Sequence, residues 1–142
     1  MKNRFILFLF GFFALIAIAS TADIETTKIT PETPADIEVS ARKLFADYQA
    51  NEIAADETYN GKVLQVRGTI RDIGNDLLDN AYISIVGDQY FGDVQCFIAD
   101  KAVVVKLRKG SFITVKGECD GLLMNLILQR AIVIEKNYCI KR

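Results

Sequence analysis

The sequence contains no histidine. That removes the side chain that most often acts as a general base near neutral pH and most often ligates zinc. Proline is scarce too: Pro31 and Pro34 are the only two, and both fall in one short stretch. No glycine-rich phosphate loop, serine-centred nucleophile elbow or metal-spaced cysteine cluster occurs. A strong charge of one sign is also missing, since 17 basic residues face 18 acidic ones for a net −1. Nucleic-acid binders draw most of their affinity from clustered phosphate contacts, and this balance does not announce one. These absences argue against an enzyme, a metal site or a bound cofactor.

What is present begins at the N-terminus. Lys2 and Arg4 precede an apolar run from Phe5 to Ile18, and Ala19, Ser20, Thr21 and Ala22 follow. A basic region, an apolar region and small residues in that order make a secretory signal. The alternative is an uncleaved membrane anchor, because 5–22 is near the lower limit for a spanning helix. Residues 1–22 are therefore read as signal or anchor, and the rest as exported, periplasmic or extracellular. Any membrane association would run through this segment alone.

Beyond it the charge is uneven. Residues 23–60 carry nine acids and three bases, and residues 61–142 twelve bases and nine acids. Residues 23–35, rich in Thr, Glu and the two prolines, read as a linker, disordered or extended. A helix is expected from Pro34 or Ala35 to about Ala50–Glu52. Ile37, Ala41, Leu44, Phe45 and Tyr48 would form its apolar stripe against the core. Residues 53–61 then lead into a strand, with Asn60-Gly61 as the turn.

That strand, about 61–70, places Leu64, Val66 and Ile70 on one face and Gln65, Arg67, Thr69 and Arg71 on the other. Gly68 sits on the buried parity, which marks a bulge or sharp bend in a strand serving two sheets. A polar loop, 74–80, connects to a second strand at 82–86, and a third spans 93–98. A short helix within 100–109 precedes strand four, whose buried parity is Ile113, Val115, Gly117 and Cys119. Asp120-Gly121 reads as a hairpin turn. Strand five runs from about 123 to 134, and 137–142 is a polar tail.

Five strands with a helix between the third and fourth predict a mainly β domain over 36–136. The fold class is a five-stranded OB-fold Greek-key barrel with an added N-terminal helix. Asn51-Glu52, Ala55-Asp56, Tyr59, Gly61-Lys62, Val66 and Gly68 resemble the opening signature of the tRNA_anti-like family of exported OB-fold proteins. Val94-Gln95-Cys96-Phe97, Lys109-Gly110 and Val115 through Gly121 resemble it further on. The resemblance covers about residues 40–135. It implies an OB barrel with likeness to anticodon-binding domains, often carried on a lipoprotein or an N-terminal membrane segment. This chain departs from that pattern in lacking a cysteine near residue 20 for lipid attachment.

An OB barrel binds on the face of its second and third strands and with the loops joining strands one to two and four to five. Here that selects Arg67, Arg71, Tyr82, Ser84, Gln95, Phe97 and Lys116 as ligand-binding candidates. Single-stranded nucleic acid would use Tyr82 and Phe97 for stacking and Arg71 and Lys116 for phosphates. Asp72, Asp76 and Asp79 oppose that, as does export. The favoured reading is a non-enzymatic binding or interaction module of the cell envelope, its partner an envelope protein or small ligand. Nucleic-acid binding is the alternative, and a thiol-dependent enzyme using Cys96 a distant third. Asp56 and Tyr59 are read as structural, tying the helix-to-strand connection and plugging one barrel end. Cys96 and Cys119 share the buried parity and are the candidate disulfide pair; the rival is that both are small apolar core residues. Cys139 is then the odd thiol.

Overall fold

The computed structural model describes residues 27–90 and 92–137. The N-terminal 22 residues, Cys139 and the tail beyond 137 lie outside this range. Six strands and three helices follow in order: β1 Ile37–Ser40, α1 Ala41–Ala50, α2 Glu52–Tyr59, β2 Val63–Asn75, β3 Ala81–Val86, β4 Asp93–Ile98, α3 Lys101–Val104, β5 Phe112–Leu122 and β6 Leu126–Asn137. The sheet order is β1-β2-β3-β4-β6-β5, and β2 pairs again with β5 to close a five-stranded barrel. α3 lies between the third and fourth barrel strands, as expected of an OB fold.

β2 organises the barrel. Its first half pairs antiparallel with β5, from Val63↔Glu118 to Thr69↔Phe112. Its second half pairs with β3, from Ile70↔Ile85 to Asn75↔Ala81. The handover is a bulge between Ile70 and Asp72, so the bend falls at Arg71. A bulge residue switches side-chain parity, and the buried set runs Leu64, Val66, Ile70 before it and the half-buried Ile73 after it. Gly68 has a different task. A Cβ there would lie 2.5 Å from Ile85 Cγ2 and 3.3 Å from Ala41 Cβ, so the glycine lets β3 and the start of α1 approach.

Three expectations are corrected here. The N-terminal helix begins at Ala41, because Ser40 is its N-cap and accepts from Lys43 N at 3.2 Å. Ile37 lies instead on β1, which pairs parallel to β2 through Ile37↔Leu64 and Val39↔Val66. Residues 52–59 form α2, capped by Asn51, whose Oδ1 accepts from Ala54 N at 3.1 Å. Asp120-Gly121 is not the hairpin turn. Gly121 has φ 80 inside β5, where the register with β6 shifts, and the turn itself is closed by Leu123 N donating to Asn125 O.

A fourth correction concerns the linker. From Thr27 onward it lies against the barrel: Ile29 is buried, and Lys116 Nζ donates to Pro31 O at 2.9 Å and Thr33 O at 2.6 Å. Arg130 Nη1 donates to Thr27 O at 2.7 Å.

The disulfide is corrected too, since Cys96 and Cys119 are both free and buried. Each pairs with Leu128 of β6, from opposite sides. Two strand spacings put their Cα atoms about 9–10 Å apart, beyond the roughly 7 Å a disulfide can bridge. Both act as small core residues.

α1 and α2 cover one barrel end. Tyr48 and Tyr59 stack with ring centroids 6.2 Å apart. Tyr48 Oη donates to Asp56 Oδ1 at 2.9 Å and lies 3.6 Å from Cys119 Sγ, while Tyr59 Oη donates to Asp47 Oδ2 at 2.6 Å. Burial, then the Asp47 hydrogen bond, pushes the Tyr59 phenol up to about 12. Burial and its Cys119 and Asp56 contacts push Tyr48 higher still. A free tyrosine titrates near 10, so the stability these neutral phenols contribute is complete below about pH 10. It is lost as pH rises through about 12. Urea unfolding across that window should show a steep loss, flattened in Tyr59→Phe. An equal loss in wild type and variant would refute this role for Tyr59.

Candidate functional site

The outward face of β3 and β4 presents three cross-strand rows: Tyr82 opposite Phe97, Ser84 opposite Gln95, and Val86 opposite Asp93. The Tyr82 and Phe97 rings meet edge to face at 6.2 Å and 67°, a favoured quadrupole arrangement. Tyr82 lies over Gly74 of β2, where a Cβ would fall 2.9 Å from its Oη. Both rings remain half-buried, so part of each is open to a ligand. Ser84 is 5% exposed, which leaves little of it to touch one.

Arg71 reaches this face from the β2 bulge but is already engaged. Its Nε sits 2.7 Å from Asp93 Oδ1, and its Nη2 donates to Asp88 O. Burial raises the Asp93 carboxyl above its ordinary range, and Arg71 only partly opposes that. At the edge, Lys109 pairs with Asp72 and holds its carboxyl low. Asp76 is also held low, first by the Asn80 side chain.

The structure thus brings together Arg71, Tyr82, Ser84, Gln95 and Phe97, and leaves out two expected members. Arg67 is opposite Thr114 and Ser40 on the other half of β2. Lys116 is opposite Gln65 on β5, 5% exposed and covered by residues 31–33. Both are outward by alternation, but the closed barrel divides outward side chains between two sheets, and these two lie on the sheet formed by the first half of β2 with β5.

Two loops flank the face. The β5–β6 turn brings Asn125, whose Nδ2 donates to Gln95 Oε1 at 3.2 Å. The β2–β3 loop is built around Asp76, whose Oδ1 accepts from Leu78 N and Asn80 N at 2.8 Å each and whose Oδ2 accepts from Asn80 Nδ2 at 2.9 Å. Between that loop, the end of β4 and β6 lies a cavity of about 470 Å³, lined by Phe97, Asn80, Ala81, Ala99, Gln129 and Arg130 among others. It opens where β6 bulges: the register with β4 shifts between Cys96↔Leu128 and Ile98↔Ala131, and Arg130 takes φ 53. Bulges commonly re-aim side chains beside sites. The residues 80, 125, 129 and 130 escaped the sequence reading. A signal existed for the last two: after Leu126, Ile127 and Leu128 the next buried position on β6 is Ala131, and two consecutive polar residues, Gln129 and Arg130, interrupt the alternation as a bulge does.

Around the face and its β2–β3 loop, Asp72, Asp76, Asp79, Asp88 and Asp93 outnumber Arg71, Lys101 and Lys109. Cys96 is fully buried with its thiol pushed far up by desolvation, so it is no nucleophile in this fold. Among the described residues no cluster of Cys, Asp and Glu could hold a metal ion. Among them, too, no helix is long and apolar enough to cross a membrane.

A closed barrel of this strand order, with a helix between its third and fourth strands, defines an OB-fold protein. The chain belongs to the tRNA_anti-like family, whose sequence profile matches residues 1–133. None of the curated proteins compared matches it. A crystal structure of a proposed nucleic acid-binding lipoprotein from Klebsiella pneumoniae subsp. pneumoniae MGH 78578 is similar in fold. Its TM-score is 0.54 at 23% identity, over 69% of this chain and 91% of that one.

Proposed function

We propose that this protein is a non-enzymatic OB module of the cell envelope that binds its ligand on the outer face of β3 and β4. The observation that carries this reading is the Tyr82–Phe97 pair, half-open on the face that OB barrels use. The absence of histidine and the burial of Cys96 support binding over catalysis. Export is supported by the order of Lys2, Arg4, the apolar run and the small residues after it, and by the lipoprotein nature of the Klebsiella neighbour. Intact-mass measurement of the natively expressed protein checks export: loss of residues up to Ala19 or Ala22 is expected for a cleaved signal. A full-length mass in a soluble cytosolic fraction would refute export.

Capture of envelope components by wild-type protein and by the Tyr82→Ala/Phe97→Ala double variant tests the face. The variant should lose at least about tenfold in retained ligand, since each ring contributes area and quadrupole contacts. Undiminished capture would place binding elsewhere. Nucleic acid is the second reading, favoured by the same two rings and by the name of the Klebsiella protein. It requires affinity for short single strands that falls steeply with salt, and lack of binding at low salt excludes it.

A further inference from the structure

We infer that a second cavity, on the α3 side of the barrel, binds one linear acyl chain with an anionic head, as in a long-chain fatty acid. This site is not the outer face of β3 and β4, and it does not depend on the reading of that face. It arises where β4 stops. β4 is the neighbour of β6 only as far as Ile98↔Ala131. α3 follows at Lys101–Val104, and among the described residues no strand flanks β6 on that side beyond Ala131. Residues 28–31 cross the gap. They are held at one end by the Arg130 bond to Thr27 O and at the other by the Lys116 bonds to Pro31 O and Thr33 O. The space left beneath them is about 780 Å³, within the roughly 300–1,000 Å³ of small-ligand sites.

The walls decide what fits. Ile29, Pro31, Ile98, Val103, Ala131 and Val133 make them aliphatic. Val103, Ile132 and Val133 are only half-buried, so apolar surface there is still open to be covered. Among the described lining residues there is no aromatic ring and no side-chain amide. A nucleobase or a sugar ring therefore finds nothing to stack on and no amide to meet its polar edge. The polar side chains are mostly engaged. Asp100 Oδ1 accepts from Ala102 N at 3.0 Å, and the Thr30 and Thr33 hydroxyls are 3.2 Å apart. Arg130 is held by Glu118 and by Thr27 O. Lys28 differs: it is exposed at the rim, with no ion-pair or hydrogen-bond partner among the described residues. An aliphatic interior with one unpaired ammonium at its rim matches a methylene chain ending in a carboxylate.

The test is a titration of natively expressed, ¹⁵N-labelled protein with octanoate, decanoate and dodecanoate, each as monomer. The backbone amides of Ile29, Val103, Ile132 and Val133 should shift, and each two added methylenes should tighten binding roughly tenfold. Lys28→Gln should weaken dodecanoate binding about threefold and remove most of its salt dependence. Val103→Glu sets a carboxylate in the cavity and should abolish binding. Val103→Thr, a milder change that keeps the shape, should weaken it about threefold, so the result does not hang on one variant folding. Absence of shifts at those four amides overturns the inference. So does an affinity that ignores chain length, or one that both Val103 variants leave unchanged. Shifts centred on Tyr82 and Phe97 would assign the chain to the other site and overturn it as well. Shifts caused by phosphatidylglycerol vesicles but by none of the free acids would do the same, since the ligand would then be a membrane surface.

Discussion

Phe45→Ala is expected to lower the free energy of unfolding by about 3–5 kcal/mol, the usual cost of emptying a buried aromatic site. That is a large share of the roughly 5–15 kcal/mol that holds a domain together. Phe45 is 6% exposed and projects from α1 into the loop between β3 and β4. The loop is shaped to receive it. A Cβ on Gly92 would lie 2.0 Å from the ring Cζ, and one on Gly87 2.8 Å from Phe45 Cβ. Gly92 O accepts from Gly87 N at 2.8 Å and Asp88 N at 2.7 Å, which holds the loop closed around the ring. The consequence reaches the candidate site, because Asp88 O and Asp93 are the partners of Arg71. Gly92→Ala should also destabilise, through overpacking of about 1–3 kcal/mol. In the Phe45→Ala/Gly92→Ala double variant the new methyl has space, so the loss should be smaller than the sum of the two single-variant losses. Equilibrium denaturation measures all three. A cost below about 1 kcal/mol for Phe45→Ala, or strict additivity in the double variant, would show that the ring does not seat the loop.

The barrel was legible because its strands follow the rule of two. Leu64 and Val66 on β2, Val94, Cys96 and Ile98 on β4, and Ile113, Val115 and Cys119 on β5 are buried as alternation requires. Burial against a single core enforces that period, since a one-residue slip would turn every apolar side chain outward. Ile37 misled because it fits two periods. It is four residues before Ala41, as in a helix, and two before Val39, as in the strand it joins; Ser40 as an N-cap decides between them. α2 was missed because only Ala55 and Tyr59 of its residues are buried, too few to make a stripe, although Asn51 marked its start. The site was half legible. Tyr82, Gln95 and Phe97 lie on β3 and β4, where alternation holds, and the structure places them on one face as expected. Arg67 and Lys116 were placed with them because nothing local reveals which sheet of a closed barrel an outward side chain faces. The cavity depends on a bulge at Arg130 and on a loop folded around Asp76, and both arise from contacts distant in sequence.

Lys116 carries the second large effect. Its position on β5 is of outward parity, yet it is 5% exposed, because residues 27–35 lie across it. A buried ammonium needs polar partners. It finds two carbonyls, Pro31 O at 2.9 Å and Thr33 O at 2.6 Å, in a segment with few other ties to the barrel. Those ties include Ile29, the Arg130 bond to Thr27 O and the Asp36 contacts with Val63. Lys116→Met keeps the apolar stem and removes the charge-assisted bonds, each worth about 1.5–3 kcal/mol. The expected cost is roughly 2–4 kcal/mol, somewhat below the sum of the two bonds because water can reach the freed carbonyls at the edge of the segment. The distinguishing result is local. Residues 27–33 should become sensitive to limited proteolysis in Lys116→Met, while the barrel from β1 onward stays resistant and the Tyr82–Phe97 face keeps its ligand. Lys116→Arg should restore part of the protection, since it can still donate to both carbonyls. A variant as resistant as wild type, with unchanged stability, would show that Ile29 and Arg130 hold the segment without the lysine. A variant that loses ligand would show that Lys116 belongs to the binding face after all.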